Sequence, residues 1–205
     1  MNLKNFPKRW ITADWHLGEE RLELLGRPFK NQKEHIDALI ANHNSVVSKD
    51  DLVIVVGDAV SKIHPEFIPY CDSFNGTKIL IRGNHDAPYT DKQFLSHFDS
   101  IIEEGAGLEL KIGDLDCWII HYPTRSRKDK FNLVGHIHSA WKVQLNSYNV
   151  GVDANHFFPV DMDKSVPFVY KAICDFYDED VWVAYDESNN SFKGKRGKDG
   201  SYFKK

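Results

Sequence analysis

Short apolar runs punctuate the first half of the chain. Trp10-Ile11-Thr12-Ala13, Leu52-Val53-Ile54-Val55-Val56 and Lys78-Ile79-Leu80-Ile81 each stop at a Gly or a polar residue. Runs this short and nearly continuous in apolar character predict strands buried on both faces, as in the centre of a layered α/β protein. Between the first two, Ile36, Leu39, Ile40, His43, Val46 and Val47 share one face at helical spacing, which predicts a helix over 31–47. A shorter helix is predicted over Thr90–Phe98, with Thr90 as N-cap and Phe94, Leu95 and Phe98 on one side. After Gly105-Ala106-Gly107 the period shortens to two: Leu108–Ile112, a turn at Gly113-Asp114, then Cys117–Ile120 predict a hairpin. Strands are also predicted at Phe131–Val134, Ser147–Val150 and Val181–Tyr185, with a helix over Val166–Tyr177 carrying Pro167 in its first turn.

The composition is that of a folded protein. The 205 residues are 41% hydrophobic and 27% charged, which excludes collagen-like and wholly disordered classes, and no apolar run is long enough to span a membrane. Asp and Glu outnumber Lys and Arg by 30 to 26. The excess is uneven: from Asn189 onward six basic residues face only Asp199, so this tail carries +5 and leaves −9 on residues 1–188 of a chain whose total is −4. One domain over 1–188 and a basic, flexible tail over 189–205 are therefore expected, and an acidic body argues against broad nucleic-acid binding. Cys71, Cys117 and Cys174 are odd in number and widely spaced, which suggests neither a disulfide framework nor a thiolate metal site. The start lacks a secretory apolar segment, so a cytoplasmic location is expected.

Ten histidines call for an account of their positions. Five follow predicted strands, together with acids and an amide: Asp14-Trp15-His16, Gly57-Asp58, Gly83-Asn84-His85-Asp86, His121, and Gly135-His136-Ile137-His138. Singly, each reads as a cap or turn residue. Jointly they do not, because strand apolarity locates the positions independently of the chemistry found there, and the carboxyl ends of strands in α/β sheets converge on one rim. Asp-x-His and His-x-His turn both side chains to the same side of an extended segment. Oxygen and imidazole donors without thiolate suit manganese, iron, zinc or nickel and do not select among them.

In this order the five segments resemble the signature of the calcineurin-like metallophosphoesterase superfamily, and the likeness covers roughly residues 9 to 160. The small single-domain bacterial and phage members are resembled in particular, through Arg27-Pro28-Phe29, His121-Tyr122-Pro123 and Asn149-Val150-Gly151-Val152-Asp153. The resemblance implies a four-layer αββα sandwich of two mixed sheets flanked by helices. It implies two divalent metal ions, with manganese expected and iron, zinc or nickel as alternatives. Asp14, His16 and His138 would hold one ion and Asn84, His121 and His136 the other, with Asp58 between them. A metal-bridging hydroxide would attack phosphorus, and His85, oriented by Asp86, would serve the leaving group. One departure stands out: Glu19 occupies the place of a second histidine found in many small relatives. A supporting role at the site, repulsion of an anionic substrate and a solvent-facing position are all open for it.

On the substrate side, Arg27, Arg82, Arg125, Arg127 and Lys128 lie near the motif segments, with Arg27 and Arg125 the candidate phosphate contacts. Tyr122, Trp15 and Trp141 flank the rim and are candidates for stacking on a base. His35, His43, His64, His97 and His156 have no motif partner and read as surface or helix-face residues. The leading expectation is a dinuclear phosphoesterase acting on a phosphodiester or nucleotide-like phosphate, possible nucleic acid contact being secondary. A nuclease of the same fold and a non-catalytic metal-binding scaffold are the alternatives.

Overall fold

A computed structural model describes residue 3, residues 5–176 and the short segments 184–186 and 191–193. The apolar runs form strands where expected: β1 (Arg9–Thr12), β2 (Leu52–Val56) and β3 (Thr77–Ile81), the first two separated by α1 (Gln32–Val46) and the third followed by a one-turn α2 (Asp91–Phe94) and β4 (Ser100–Ile102). The hairpin is β5 (Leu108–Ile112) and β6 (Leu115–Ile120), and β7 (Phe131–Val134), β8 (Val143–Gln144), β9 (Ser147–Asn149), β10 (Val160–Asp161) and α3 (Ser165–Phe176) complete the body. Two mixed sheets result. One has the order β10-β1-β2-β3-β4 with β1 to β4 parallel and β10 antiparallel; the other has the order β5-β6-β7-β9-β8 with β6, β7 and β9 parallel.

The sheets pack face to face. Ile11, Ile54, Val56, Ile79 and Ile81 of the first meet Cys117, Ile119, Leu133 and Tyr148 of the second in one buried cluster, to which α3 adds Val166 and Ile173. The other face of the first sheet, with Trp10, Val53, Val55 and Leu80, is covered by Ile36 and Leu39 of α1 and by Ile68, Cys71 and Phe74. Every residue of β2 is buried, as its unbroken apolar run requires of a central parallel strand. Asn31 caps α1, its side chain accepting from the Glu34 amide at 2.9 Å. Two mixed sheets with flanking helices are the architecture expected from the sequence.

Several differences are local. The helix expected over Thr90–Phe98 is regular only through Phe94, although Gln93 Oε1 accepts from the Thr90 amide as a capping residue should. Phe94 and Phe98 are both buried against one another, so tertiary packing completes what the helix leaves. Residues 65–73 form a 3₁₀ helix whose two prolines mask it in the sequence. The strand expected over Val181–Tyr185 falls partly outside the described residues; Ala184–Asp186 (β11) pairs antiparallel with Ser191–Lys193 (β12). Apart from these strands, the basic tail lies outside the described residues. No helix among the described residues is long and apolar enough to cross a membrane.

Candidate metal centre

The five motif segments leave the carboxyl ends of β1, β2, β3, β6 and β7, from both sheets, and meet. Beyond β1 the chain continues beside the segment after β2: the Asp14 amide donates to Gly57 O at 3.0 Å, His16 to Asp58 O at 2.9 Å and Leu17 to Ala59 O at 3.0 Å. To turn their side chains into one space, five site residues take left-handed backbone angles: Asp14 (φ 60°), His16 (50°), Asp58 (53°), His136 (76°) and His138 (49°). Non-glycine residues seldom adopt this region, and such strain concentrates at functional sites. Two glycines make the crowding possible. A Cβ at Gly57 would lie 2.3 Å from His121 Nδ1, and one at Gly83 would lie 2.2 Å from Asp58 Oδ1.

Asp58 is central. Its Oδ2 lies 3.5 Å from His16 Nε2 and 3.4 Å from His121 Nε2, and its Oδ1 accepts from the His85 amide at 2.8 Å. On one side stand Asp14, His16 and His138, the two imidazole rings 4.9 Å apart. On the other stand Asn84, whose Oδ1 is 3.3 Å from His121 Nε2, and His136, whose ring is 5.1 Å from that of His121. The His136 amide donates to both Asp14 oxygens at 3.0 Å, tying the two sides together. His121 Nδ1 donates to Val56 O at 2.8 Å, so Nε2 is the nitrogen turned to Asp58.

This donor set fits cations. Asp14, Asp58 and His16 are almost wholly buried, and neither ring nitrogen of His16 has a hydrogen-bond partner; Nδ1 of His85 also lacks one. The ligating atoms of Asp14, His16 and Asp58 fall within 4.8 Å of one another, as do those of Asp58, His121 and His136. Burial pushes the Asp14 carboxyl up to about 6, and the neighbouring Asp58 charge adds to this. Against burial, which alone would raise it, His121 and His16 hold the Asp58 carboxyl below the usual carboxylate range. Burial drives His16 well below the usual imidazole value. A neutral imidazole such as that of His16, beside crowded carboxylates, is what a divalent cation accepts as a ligand.

Other expectations need correction. The Asp86 carboxylate is not bonded to the His85 ring: it is buried and accepts from the amides of Asp58 (2.7 Å), Gly83 (3.0 Å) and Ala59 (3.0 Å), pinning the two turns that carry Asp58 and Asn84. Arg27 is not free for substrate. Its side chain is fully enclosed, paired with Asp153 and donating to main-chain carbonyls. Trp15 cannot stack on a base, since it is buried and stacked on Phe74 at 4.1 Å. Arg82 is buried and engaged by Tyr89 O and Asp91, while Arg127 lies on Trp118 and pairs with Glu109. His35 and His43 lie in the interior of the α1 face, whereas His64 and His97 pair with Glu66 and Asp72 and His156 is exposed.

Arg125 remains exposed, with its guanidinium 5.5 Å from the Tyr122 ring, and Tyr122 in turn lies 4.9 Å from His121 and 5.0 Å from His136. Lys128 is also exposed and Trp141 half-buried. Glu19 does not face solvent: it is 5% exposed, held by the Arg21 amide and Nε, and its carboxylate falls within 4.8 Å of ligand atoms of His16 and His85. Sequence reasoning missed Asp153, whose Oδ2 lies 2.8 Å from His138 Nδ1. The only signal for it was its place in the Asn149–Asp153 segment.

The sequence model of the calcineurin-like phosphoesterases matches residues 7–153. The Gene 66 protein of Mycobacterium phage L5 is 36% identical over 85 residues, a stretch that spans 39% of this chain and 40% of that protein's length. The crystal structure of AQ665 of Aquifex aeolicus, titled a protein of unknown function, superposes with a TM-score of 0.61 at 19% identity over 79% of this chain and 98% of that one, a likeness of fold. The family match runs from just before β1 to Asp153 and so takes in all five strand-end segments: the chain belongs to the calcineurin-like phosphoesterase family.

Proposed function

We propose that the chain hydrolyses a phosphodiester or nucleotide-like phosphate with the help of two divalent cations. The observation that carries this reading is the pair of donor groups that share Asp58, one of them wholly buried and containing the unpartnered His16 imidazole. Asp14, His16 and His138 would hold one cation, Asn84, His121 and His136 the other, and Asp58 both. When bound, the cations would supply positive charge to the phosphoryl oxygens and activate water as the nucleophile. This supplies locally the positive charge that an acidic body withholds.

The chain's own residues then have separable tasks. His85 is half-buried beside Asn84 and 4.4 Å, ring to ring, from His16, a place from which its side chain serves the leaving oxygen. Asp86 keeps the turns that carry Asp58, Asn84 and His85 in register. Tyr122 walls the His121 and His136 side and offers Arg125 at the rim as a contact for a phosphate oxygen.

The test is reconstitution of the metal-stripped protein with Mn²⁺, followed by metal analysis and assay of bis-p-nitrophenyl phosphate and p-nitrophenyl phosphate. Two ions per chain and hydrolysis that disappears with chelator, returns with Mn²⁺ and is lost in Asp58→Ala are expected. Two bound ions with both esters untouched would replace this reading with that of a non-catalytic metal protein.

A further inference from the structure

We propose that the buried Arg27–Asp153 pair, backed by His35, is a positioning device for one cation site, fixing together the three groups expected to hold that cation: Asp14, His16 and His138. The inference rests on the dinuclear reading above and gives a role to three residues, Arg27, His35 and Asp153, that lie outside the five strand-end segments.

Asp153 is 3% exposed in its side chain and Arg27 is 0% exposed. Arg27 Nε and Nη2 reach the two Asp153 oxygens at 2.8 and 2.9 Å, a fork-to-fork contact. Two of the three remaining donors are aimed at the main chain: Nη2 reaches Asp14 O at 2.6 Å and Nη1 reaches Trp15 O at 2.9 Å. These carbonyls belong to the segment in which Asp14 and His16 hold left-handed angles, at φ 60° and 50°. A strained backbone persists only where its surroundings over-determine it, and here the guanidinium holds two consecutive carbonyls of the strained stretch.

The other end of the device is His138. Its Nδ1 lies 2.8 Å from Asp153 Oδ2, so in the neutral ring the hydrogen sits on Nδ1 and Nε2 is the bare nitrogen. A carboxylate in this position fixes both ring orientation and tautomer of a ligating histidine. His121 has its tautomer set in the same way by the Val56 carbonyl, and Arg27 has no contact on that side. The device therefore serves one cation and not the other.

His35 closes the network from α1. Its Nε2 is 2.7 Å from Arg27 Nη1, and the buried ring stays neutral, so the imidazole accepts from the guanidinium. A second cation there would repel Arg27; a neutral acceptor satisfies a donor and leaves the Asp153 pair undisturbed. Residues 126 apart in the chain are joined in this way, and α1 is coupled to the geometry of the Asp14-x-His16 segment.

Two measurements test the inference. In metal-free wild-type protein, long-range ¹H–¹⁵N correlation of His138, recorded where the ring is neutral, should show a protonated Nδ1 and a bare Nε2. Titration with Mn²⁺ should then show two ions bound by the wild type, with one of the two weakened about 10- to 100-fold in Asp153→Asn and the other unchanged. A His138 protonated at Nε2, or an Asp153→Asn protein that binds both ions with wild-type affinity, overturns the inference. Wild-type protein that takes up fewer than two ions overturns the dinuclear reading beneath it. The tautomer measurement needs no variant, so it decides even where Asp153→Asn does not fold.

Discussion

His43 offers a quantitative test of the packing of α1 on the first sheet. Its ring is 1% exposed, lies edge-on to Trp15 at 5.9 Å and to Phe74 at 5.1 Å, and touches one polar group, Asn75 O, at 2.9 Å from Nε2. Nδ1 has no partner. Burial pushes the imidazole down to about 4, against the hydrogen bond to Asn75. The sign follows directly. The unfolded chain takes up the proton near the ordinary value of about 6.5 and the folded chain only near 4, so stability is fully present above 6.5 and is lost as pH falls towards 4. At pH 5 the unfolded state is favoured by about 1.5 pH units of proton uptake, or about 2 kcal/mol. Phe fills the same aromatic niche without titrating, and forfeits one hydrogen bond worth about 1 kcal/mol.

His43→Phe should therefore be about 1 kcal/mol less stable than wild type at pH 8 and about 1 kcal/mol more stable at pH 5. Urea denaturation of both proteins in chelator across this range measures the difference directly. Other groups titrate in the same window, including Asp14, raised to about 6, but they are common to both proteins and cancel. Parallel stability curves, with no crossing between pH 8 and pH 5, would refute the assignment of His43 as a neutral core residue.

Two further substitutions probe the site. Gly83→Ala places a Cβ 2.2 Å from Asp58 Oδ1, 2.7 Å from the Asp58 amide and 2.8 Å from His121 Cε1, so Asp58 must move; loss of bound Mn²⁺ and about 1–3 kcal/mol of stability are expected by metal analysis and thermal melting. His85→Asn keeps the amide that donates to Asp58 and removes the ring; hydrolysis should fall about 10²- to 10⁴-fold with both ions retained. Loss of an ion from His85→Asn would instead make His85 a ligand, together with His16 and Glu19.

The positions of the candidate site residues were legible because apolar runs end where strands end. Ile11 through Ala13, Val56 and Ile81 are fully buried, and Asp14, Asp58 and Gly83 follow immediately or after one glycine or arginine. That relation is local in the chain, so one sequence carries it. What single side chains do once there is set by partners far away, and this was not legible. Asp86 follows His85 in the sequence, yet its oxygens are claimed by amides 26 to 28 residues earlier and by Gly83. Arg27 reads as a phosphate contact by its charge, and is buried because Asp153 arrives from 126 residues away. Trp15, between two site residues, is turned from the rim into the layer beneath, where Phe74 receives it.

The left-handed angles and the buried charges of the site are two sides of one design problem. Asp14, Asp58 and Asp86 lie within one small volume, and the interior raises Asp14 to about 6 and Asp86 to about 7 while Asp58 stays ionised against His121. Hydrogen bonds meet part of this cost: the His136 amide serves Asp14, and four amides converge on Asp86. The part left over is a demand for positive charge at a place where the available imidazoles are neutral or already paired. Cations bound to the folded chain alone would meet it and would stabilise the fold by about 2.7 kcal/mol at one hundred times their dissociation constant. The strained segment does not wait for them, because Arg27 and the contacts with Gly57, Asp58 and Ala59 already hold it. The protein thus carries the backbone strain by itself and would leave mainly the charge for bound ions to balance, a division under which metal would bind without the segment having to fold around it.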